Sequence, residues 1–321
     1  MYRIVLDTDP GIDDALALFF ALASPEIQIE AITTVSGNVS VDRTTRNALT
    51  LLELTGRTEI PVARGSTRPL VRPPVLADYV HGDNGLGGVE LPEPRLQPVA
   101  QHAVDAIIEK IMGAPGEITL VPLGPLTNVA LALRREPRIV QQVREVVLMG
   151  GALRVPGNVT PAAEFNIFVD PHAAHMVVHA GWPIRMVSLD VTTQAELKRE
   201  QVNRLASTGS PVMKFLKQML DSYFEDFAAK VDSNVFQMHD PLCVAAALYP
   251  DLISWEPVYL DIELAGSLTL GETVAYFKRS EATADTRQQL PSPNVQAPVG
   301  VDAERFIALY LDRVGKAFSG S

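Results

Sequence analysis

Four carboxylates fall within eight residues near the start of the chain, at Asp7, Asp9, Asp13 and Asp14. Aspartate is a favoured helix N-cap and a helix N-terminus attracts negative charge, so one or two of the four have a purely structural explanation. Because like charges this close repel each other and raise their own pKa values, the full set predicts a bound cation. Oxygen ligands without Cys or His favour a hard ion, Ca²⁺ or Mg²⁺, over zinc.

A strand and a helix are predicted to position this acidic stretch. Residues 4–6 form an aliphatic run typical of a buried strand, and residues 15–23 are apolar for longer than a strand needs. Pro10 and Gly11 mark the turn between them. The carboxylates would then lie at the C-terminal end of a strand, which is the edge where open α/β sheets bind ligands.

The rest of the chain repeats this design. Further strand-like runs occur at residues 27–34, 118–121, 143–148 and 183–189, and the run at 118–121 is followed by a Gly/Pro turn and an apolar helix as in the opening stretch. Repeated βα units favour a parallel sheet with helices on both faces, and no linker or fixed-period repeat interrupts them.

We therefore predict an α/β fold, with a single doubly wound, Rossmann-like domain over residues 1–321. Its central sheet would be mostly parallel, with a small peripheral antiparallel strand pair at 258–264 and 273–278. Residues 280–298 are polar and contain several prolines, which predicts a loop. Residues 301–318 predict a closing amphipathic helix.

Two segments between these units carry candidate binding residues. Residues 64–98 predict a long loop, and such loops in compact domains are often functional. His81 in this loop is either a substrate-binding residue or an ordinary loop histidine. Residues 197–229 predict a helix in which Tyr223 and Phe227 share one face, for which helix packing is the simplest explanation.

Three further features have ordinary structural explanations. Asp170 and Asp240 each precede a proline, as helix N-caps commonly do. His172, His175 and His179 share one helical face. No Cys or acid at ligand spacing completes a metal site on that face, so an exposed helix surface is favoured.

Composition limits the class of protein. With 47% hydrophobic and 20% charged residues the chain is an ordinary globular one, and its net charge of −11 argues against nucleic acid or anionic membrane partners. Cys243 is the single cysteine, which excludes an intramolecular disulfide. No signal-peptide pattern or membrane-length apolar run is present. We expect a cytoplasmic protein with a small-molecule partner.

Two known acidic motifs can be tested against the opening stretch. An EF-hand loop counted from Asp7 needs Gly and Glu where the chain has Ile12 and Leu18, so that motif fails. Haloacid dehalogenase-like phosphatases also begin with Asp-x-Asp after a strand and use an aspartyl nucleophile with Mg²⁺. The pair Asp13 and Asp14 has no role in that scheme, which stays an alternative.

The opening stretch more closely resembles the inosine-uridine preferring nucleoside hydrolase family, and the resemblance continues along nearly the whole chain. The matching motifs, in chain order, are Asp7-Thr8-Asp9-Pro10-Gly11-Ile12-Asp13-Asp14-Ala15, Ile32-Thr33-Thr34-Val35-Ser36-Gly37-Asn38, His81-Gly82-Asp83-Asn84-Gly85, Gly124-Pro125-Leu126-Thr127-Asn128, Val147-Leu148-Met149-Gly150-Gly151, Glu164-Phe165-Asn166 and His239-Asp240-Pro241.

This resemblance implies a Rossmann-like enzyme that hydrolyses the N-glycosidic bond of ribonucleosides with one bound Ca²⁺. The implied metal ligands are Asp9, Asp14, Asp240 and the backbone carbonyl of Leu123. Asp9 would also deprotonate the attacking metal-bound water. Asp7 would then contact the metal-binding residues without binding the ion itself.

The resemblance also implies which residues hold the substrate. The residues implied to hold the ribose hydroxyls are Asp13, Asn38, Asn158, Glu164 and Asn166. His239 is implied to protonate the leaving base, and Tyr223 and Phe227 to close over the substrate. The family further suggests a homotetramer or a homodimer. A non-catalytic nucleoside or pentose binder on the same scaffold is a third hypothesis.

Overall fold

Aliphatic runs and turns alternate along the chain and form alternating strands and helices. The structure is a computed structural model that describes residues 1–226, 233–277 and 291–319. Its strands are β1 (Tyr2–Thr8), β2 (Ile27–Thr34), β3 (Val62–Arg64), β4 (Ile118–Pro122), β5 (Glu145–Met149), β6 (Ile184–Val187), β7 (Glu196–Lys198), β8 (Val235–Gln237), β9 (Ile253–Ile262), β10 (Thr273–Tyr276) and β11 (Val295–Val301).

The helices fall between these strands and after the last of them. They are α1 (Ile12–Leu22), α2 (Val41–Thr55), α3 (Asp78–His81), α4 (Ala103–Gly113), α5 (Thr127–Arg135), α6 (Ile139–Gln142), α7 (Phe165–Val169), α8 (Pro171–Val178), α9 (Leu189–Thr192), α10 (Arg199–Leu205), α11 (Pro211–Asp226), α12 (His239–Leu248) and α13 (Ala303–Phe318).

Nine of the strands form one sheet, in the order β10-β9-β11-β6-β5-β4-β1-β2-β3. Strand β1 pairs in parallel with β2 and β4, and β5 pairs in parallel with β4 and β6. At one side of the sheet β9 pairs antiparallel with both β10 and β11. Strands β7 and β8 form a separate two-stranded antiparallel sheet. The predicted mostly parallel α/β fold with a small antiparallel pair is confirmed.

Strand β1 explains how the sheet is covered on both faces. Its alternate side chains point to opposite sides: Ile4 and Leu6 pack into one core with Phe19, and Val5 packs into a second core with Ile107. Parallel strands buried on both faces have continuous aliphatic sequences. The strand ends where the acidic stretch begins, so the carboxylates emerge at the C-terminal edge of the parallel strands.

Some predicted boundaries are wrong. The predicted antiparallel pair at 258–264 and 273–278 is confirmed as β9 and β10 at the edge of the main sheet, although β9 begins earlier, at Ile253. Residues 278–290 lie outside the described part. Of the predicted loop at 280–298, residues 295–298 are in strand β11, where Val295 and Ala297 are buried. Prolines obscured the alternating pattern, and Pro298 lies beside a register shift.

The prediction of one long helix at 197–229 is also wrong. Residues 199–205 and 211–226 form two helices, and Gly209 between them adopts a positive φ of 76°. Proline at 211 starts the second helix, because its fixed φ and missing N–H are tolerated in the first turn. Residues 227–229 lie outside the described part.

No helix in the described ranges is long and apolar enough to cross a bilayer.

Candidate functional site

A polar cavity opens at the C-terminal edge of the parallel strands. Ten of the predicted site residues line it, namely Asp13, Asn38, His81, Leu123, Asn158, Glu164, Asn166, Tyr223, His239 and Asp240. Asp9 and Asp14 do not line the cavity and are buried. Phe227 lies outside the described residues. The structure therefore brings together residues from one end of the chain to the other.

Asp14 is fixed at the start of α1 by a set of donors from neighbouring turns. The Thr8 hydroxyl and the Asp9 N–H, at 3.2 Å, donate to its Oδ1. The Gly11 N–H donates to its Oδ2 at 3.0 Å, and the Asn38 side-chain amide does so at 2.9 Å. Asp14 is thus the third residue of α1 and its carboxylate bonds the N–H of the N-cap, Gly11, but the same carboxylate also lies near other acids.

Three acids form the closest group in the site. Asp13 and Asp14 from the first turn of α1 and Asp240 from the first turn of α12 place one oxygen each within 4.8 Å of the others. Asp240 is inside its helix rather than its N-cap, which is Met238, so the capping interpretation of Asp240 is wrong. Asp9 is outside this closest group. Its Oδ2 accepts the Asn38 N–H at 2.6 Å.

The pKa values of these acids show how unfavourable their crowding is. Burial, followed by repulsion from neighbouring carboxylates, raises the pKa of Asp9 and of Asp240 well above the usual range. Burial also raises the pKa of Asp13 to about 6, and its Oδ1 is buried without a partner among the described residues. None of the described residues lining the cavity is Lys or Arg. Buried acids in such a group could hold a metal ion, which would offset their repulsion.

Asp9 is enclosed by two glycines. A Cβ atom at Gly37 or at Gly124 would overlap the Asp9 carboxylate. Neither glycine has a positive φ, so glycine is required at these positions only because the backbone lies so close to the Asp9 carboxylate. Gly37 follows β2 and Gly124 follows β4, so the turns after the two neighbours of β1 both pack against Asp9.

Asp7 lies behind the site. It is fully buried, does not line the cavity, and its Oδ1 accepts the Thr33 hydroxyl at 2.6 Å and the Asn128 amide at 2.8 Å. Asn128 also donates to the Thr34 carbonyl and accepts the Ser66 N–H, so it joins strands β1, β2 and the turn after β3. The sequence contained Asn128 only as part of a turn, and its linking role was missed.

Glu164 and Asn166 have structural partners besides facing the cavity. Glu164 is the N-cap of α7 and accepts the N–H groups of Gly151 at 3.0 Å, Asn166 at 3.0 Å and Ile167 at 3.3 Å. Burial nevertheless raises its pKa to about 7. The Asn166 amide donates to the Leu123 carbonyl at 2.7 Å, and that carbonyl oxygen keeps a second lone pair.

Two histidines that are distant in the sequence, His81 and His239, border the cavity. The Ile12 N–H donates to Nδ1 of His81 at 3.1 Å, and Nδ1 of His239 lies 2.7 Å from the Thr192 hydroxyl. Burial lowers the pKa of each to about 4, so both rings are neutral near pH 7. Thr192, at the end of α9, was missed because nothing in the sequence links it to His239.

Aromatic and amide side chains complete the lining. Tyr223 packs edge-on against Phe236, with ring centroids 4.7 Å apart, and burial raises its pKa to about 12. Tyr79, which is 60% exposed, and Gln237 also line the cavity and were not predicted. Asn158 is exposed and its Oδ1 accepts the Phe165 N–H at 2.9 Å.

Comparison with known proteins identifies the relatives of this chain. The family model described as inosine-uridine preferring nucleoside hydrolase matches residues 4–308. An inosine-uridine preferring nucleoside hydrolase from Leishmania major is 43% identical over 97% of this chain and 96% of its own length. A pyrimidine-specific ribonucleoside hydrolase from Shewanella sp. is 44% identical over 96% of this chain and 95% of its own.

A solved structure agrees with these sequence matches. The purine-preferring ribonucleoside hydrolase from Gardnerella vaginalis superposes with a TM-score of 0.91 and 34% identity, covering 98% of both chains. With the acidic cavity described above, these matches establish that the chain is an enzyme of the nucleoside hydrolase class and belongs to the inosine-uridine preferring nucleoside hydrolase family.

Proposed function

We propose that this enzyme hydrolyses the N-glycosidic bond of ribonucleosides to free base and ribose, with Ca²⁺ as its cofactor and Asp9 as its general base. The carboxylate group Asp13, Asp14 and Asp240 beside the cavity is the observation that carries the proposal. Departure of the base leaves an oxocarbenium-like ribosyl group with positive charge. Buried carboxylates fixed beside that group stabilise the charge electrostatically.

The donors around the cavity fit a calcium ion. We assign Asp9, Asp14, Asp240 and the Leu123 carbonyl as its ligands, because all are oxygen donors and the acids repel each other without a cation. When bound, Ca²⁺ orients the attacking water and lowers its pKa. The unpartnered Oδ1 of Asp13 is then available to accept a ribose hydroxyl.

Asp9 is suited to accept the proton of the attacking water. A general base must lie within hydrogen-bond reach of the water that it deprotonates, and as a ligand of the proposed ion Asp9 would lie beside a water held by the same ion. The Asn38 N–H and the enclosing glycines hold its carboxylate in one orientation. Such fixed orientation reduces the entropy that the reaction step must lose.

We assign each remaining lining residue to a contact with either the ribose or the base of the substrate. The residues we assign to the ribose hydroxyls, besides Asp13, are Asn38, Asn158, Glu164 and Asn166. His81, Tyr223 and His239 lie along the same cavity and would contact the base, together with Phe227. As the acid that protonates the leaving base, His239 would carry a proton on both ring nitrogens, donate a hydrogen bond from Nδ1 to the Thr192 hydroxyl and give up the Nε2 proton, which leaves a neutral ring. The neutral form, which burial favours, can donate only a hydrogen bond from Nε2 to that base.

This role of His239 can be tested with two leaving groups. We expect His239→Ala to lower kcat for inosine about 10²-fold, because a purine leaves poorly as an anion. With 4-nitrophenyl riboside, whose phenolate leaves without protonation, the same variant should lose less than about tenfold. Steady-state kinetics on both substrates measures the difference. Equal losses on both would show that His239 acts on binding or folding instead.

Gly124 offers a test of Asp9 that leaves Asp9 in place. We expect Gly124→Ala to lower kcat/KM about 10²-fold, because the added methyl group overlaps the Asp9 carboxylate and displaces it. Gly113→Ala, at a helix end where a Cβ meets no atom within 4 Å, is the matched control and should keep full activity. Similar activity in both variants would contradict the proposed position of Asp9 in the reaction.

A pair of product assays tests the proposed function against the phosphatase alternative. The enzyme should release reducing sugar from inosine or uridine and no phosphate from phosphomonoesters. The alternative needs Asp7 as an accessible nucleophile, whereas Asp7 is fully buried and bonded to Thr33 and Asn128. Mg²⁺-stimulated phosphate release with a phospho-aspartate at Asp7 would overturn the proposal.

We further propose that residues 1–321 form one domain and that the enzyme works as a cytoplasmic homotetramer or homodimer. One continuous sheet joins strands from both ends of the chain, which supports the first point. The single cysteine, Cys243, is buried and unpaired, as is typical of a reducing compartment.

A further inference from the structure

Three metal-ligating side chains meet outside the cavity described above. His175 lies in α8, His179 is the first residue after α8, and Asp261 lies in β9. One ligand atom from each lies within 4.8 Å of the other two. None of the three lines the active-site cavity.

Two of the distances among these atoms lie within about 0.5 Å of the separation between donors around a four-coordinate metal ion. Nδ1 of His175 lies 2.9 Å from Oδ1 of Asp261, and Nε2 of His179 lies 3.8 Å from the same oxygen. Two donors bound tetrahedrally to Zn²⁺ at about 2.0–2.1 Å are about 3.3 Å apart. The observed separations lie on either side of that value, so small side-chain rotations would complete the geometry.

The local hydrogen bonds also prepare His179 as a ligand. Its Nδ1 lies 2.9 Å from the His175 carbonyl and donates a proton to it, which leaves the lone pair on Nε2 facing Asp261. A backbone carbonyl that fixes the tautomer in this way is typical of metal-binding histidines. The Tyr259 hydroxyl lies 3.4 Å from the same Nε2, and donates to Oδ2 of Asp261 at 3.5 Å.

We propose that His175, His179 and Asp261 form a second metal site, for Zn²⁺ or a chemically similar divalent transition-metal ion. Two imidazoles and one carboxylate suit such an ion, whereas the all-oxygen set in the cavity suits Ca²⁺. The ion replaces the proton shared by His175 and Asp261, and water takes its fourth position. The ligands are about one-third exposed, so solvent can reach the site.

The site joins elements that are far apart in the chain. Helix α8 packs on β9, and a metal bound to both would hold the helix end against this strand. The histidine pair alone did not predict a metal site, because the completing acid is 82 residues beyond His179 (261 − 179) and on a different kind of element. An ion bound only in the folded state stabilises that state.

Zinc binding to untagged, metal-stripped protein tests the proposal. Wild type, His179→Ala, Asp261→Asn and His172→Ala would be dialysed against Zn²⁺ in excess Ca²⁺, and bound zinc measured by mass spectrometry. His172→Ala removes a histidine of the same helix that is outside the cluster. The acidic cavity is identical in all four proteins, so any zinc it binds cancels in the comparison.

We expect wild type and His172→Ala to bind one more equivalent of zinc than His179→Ala and Asp261→Asn. Zinc should also raise the thermal midpoint of the first two proteins only, and Co²⁺ should give them alone the intense visible absorption of a low-coordinate site. If His179→Ala does not fold, Asp261→Asn decides. Equal zinc in wild type and Asp261→Asn, or loss of the extra equivalent in His172→Ala, would overturn the proposal.

Discussion

Asp9→Asn is expected to fold normally and to release ribose from inosine or uridine about 10³-fold more slowly than wild type in kcat. The amide is isosteric, and its carbonyl oxygen can still accept the Asn38 N–H. It cannot accept a proton from water, and it carries no charge with which to hold a cation. Initial rates of reducing-sugar formation at saturating Ca²⁺ and nucleoside measure the effect.

An exposed aspartate provides the control for this substitution. Asp42, whose side chain is 76% exposed and pairs with Arg64, should tolerate the same change to Asn without loss of kcat. Without metal, the thermal midpoint of Asp9→Asn should not fall below that of wild type, because burial and repulsion from Asp14 already disfavour the charged form of Asp9. Turnover within a few-fold of wild type would exclude Asp9 as the base.

The second large effect is expected from Asp240→Asn. This variant should lose most of its calcium affinity and at least about 10²-fold in kcat/KM, because one anionic ligand of the proposed ion becomes neutral. Without metal, its thermal midpoint should equal or exceed that of wild type. Burial and repulsion from Asp13 and Asp14 raise the pKa of Asp240 well above its usual range, and the substitution removes that repulsion.

Thermal unfolding with and without Ca²⁺ separates these two effects. Wild type should gain stability with calcium, by about 4 kcal/mol when the ion is at 1,000 times its Kd. The variant should gain far less. Asp251→Asn, at an exposed ion pair with Arg305, should behave as wild type in both conditions. A calcium-dependent gain in Asp240→Asn equal to that of wild type would remove Asp240 from the ligand set.

The sequence was most informative at residues 7–14, where one short segment predicts cation binding by itself. The crowding of Asp7, Asp9, Asp13 and Asp14 requires an electrostatic explanation whatever the fold. The flanking apolar runs predict that these acids lie at the C-terminal edge of the parallel strands. Asp240 could be added only through the family resemblance, since its local context favours an N-cap over a metal ligand. The structure shows that it is in the first turn of α12, beside the other acids.

What the sequence could not provide depends on tertiary packing. Glu164 caps α7 with its side chain. Its position in the sequence, before Phe165, did not predict this role. Thr192 and His239 are 47 residues apart and meet through a single hydrogen bond. The closest acid group contains Asp13 rather than Asp9, because side-chain direction on the first turn of α1 decides which carboxylates converge.

The central claim is that water cleaves the N-glycosidic bond at this carboxylate cavity. Its most direct test is to incubate the calcium-loaded enzyme with inosine and with uridine in phosphate-free buffer, and to quantify base and ribose by chromatography. We predict equal amounts of free base and ribose from at least one nucleoside, and formation of both products about 10³-fold more slowly by Asp9→Asn. Calorimetric binding of both nucleosides without any product over hours would contradict it and identify a non-catalytic nucleoside binder.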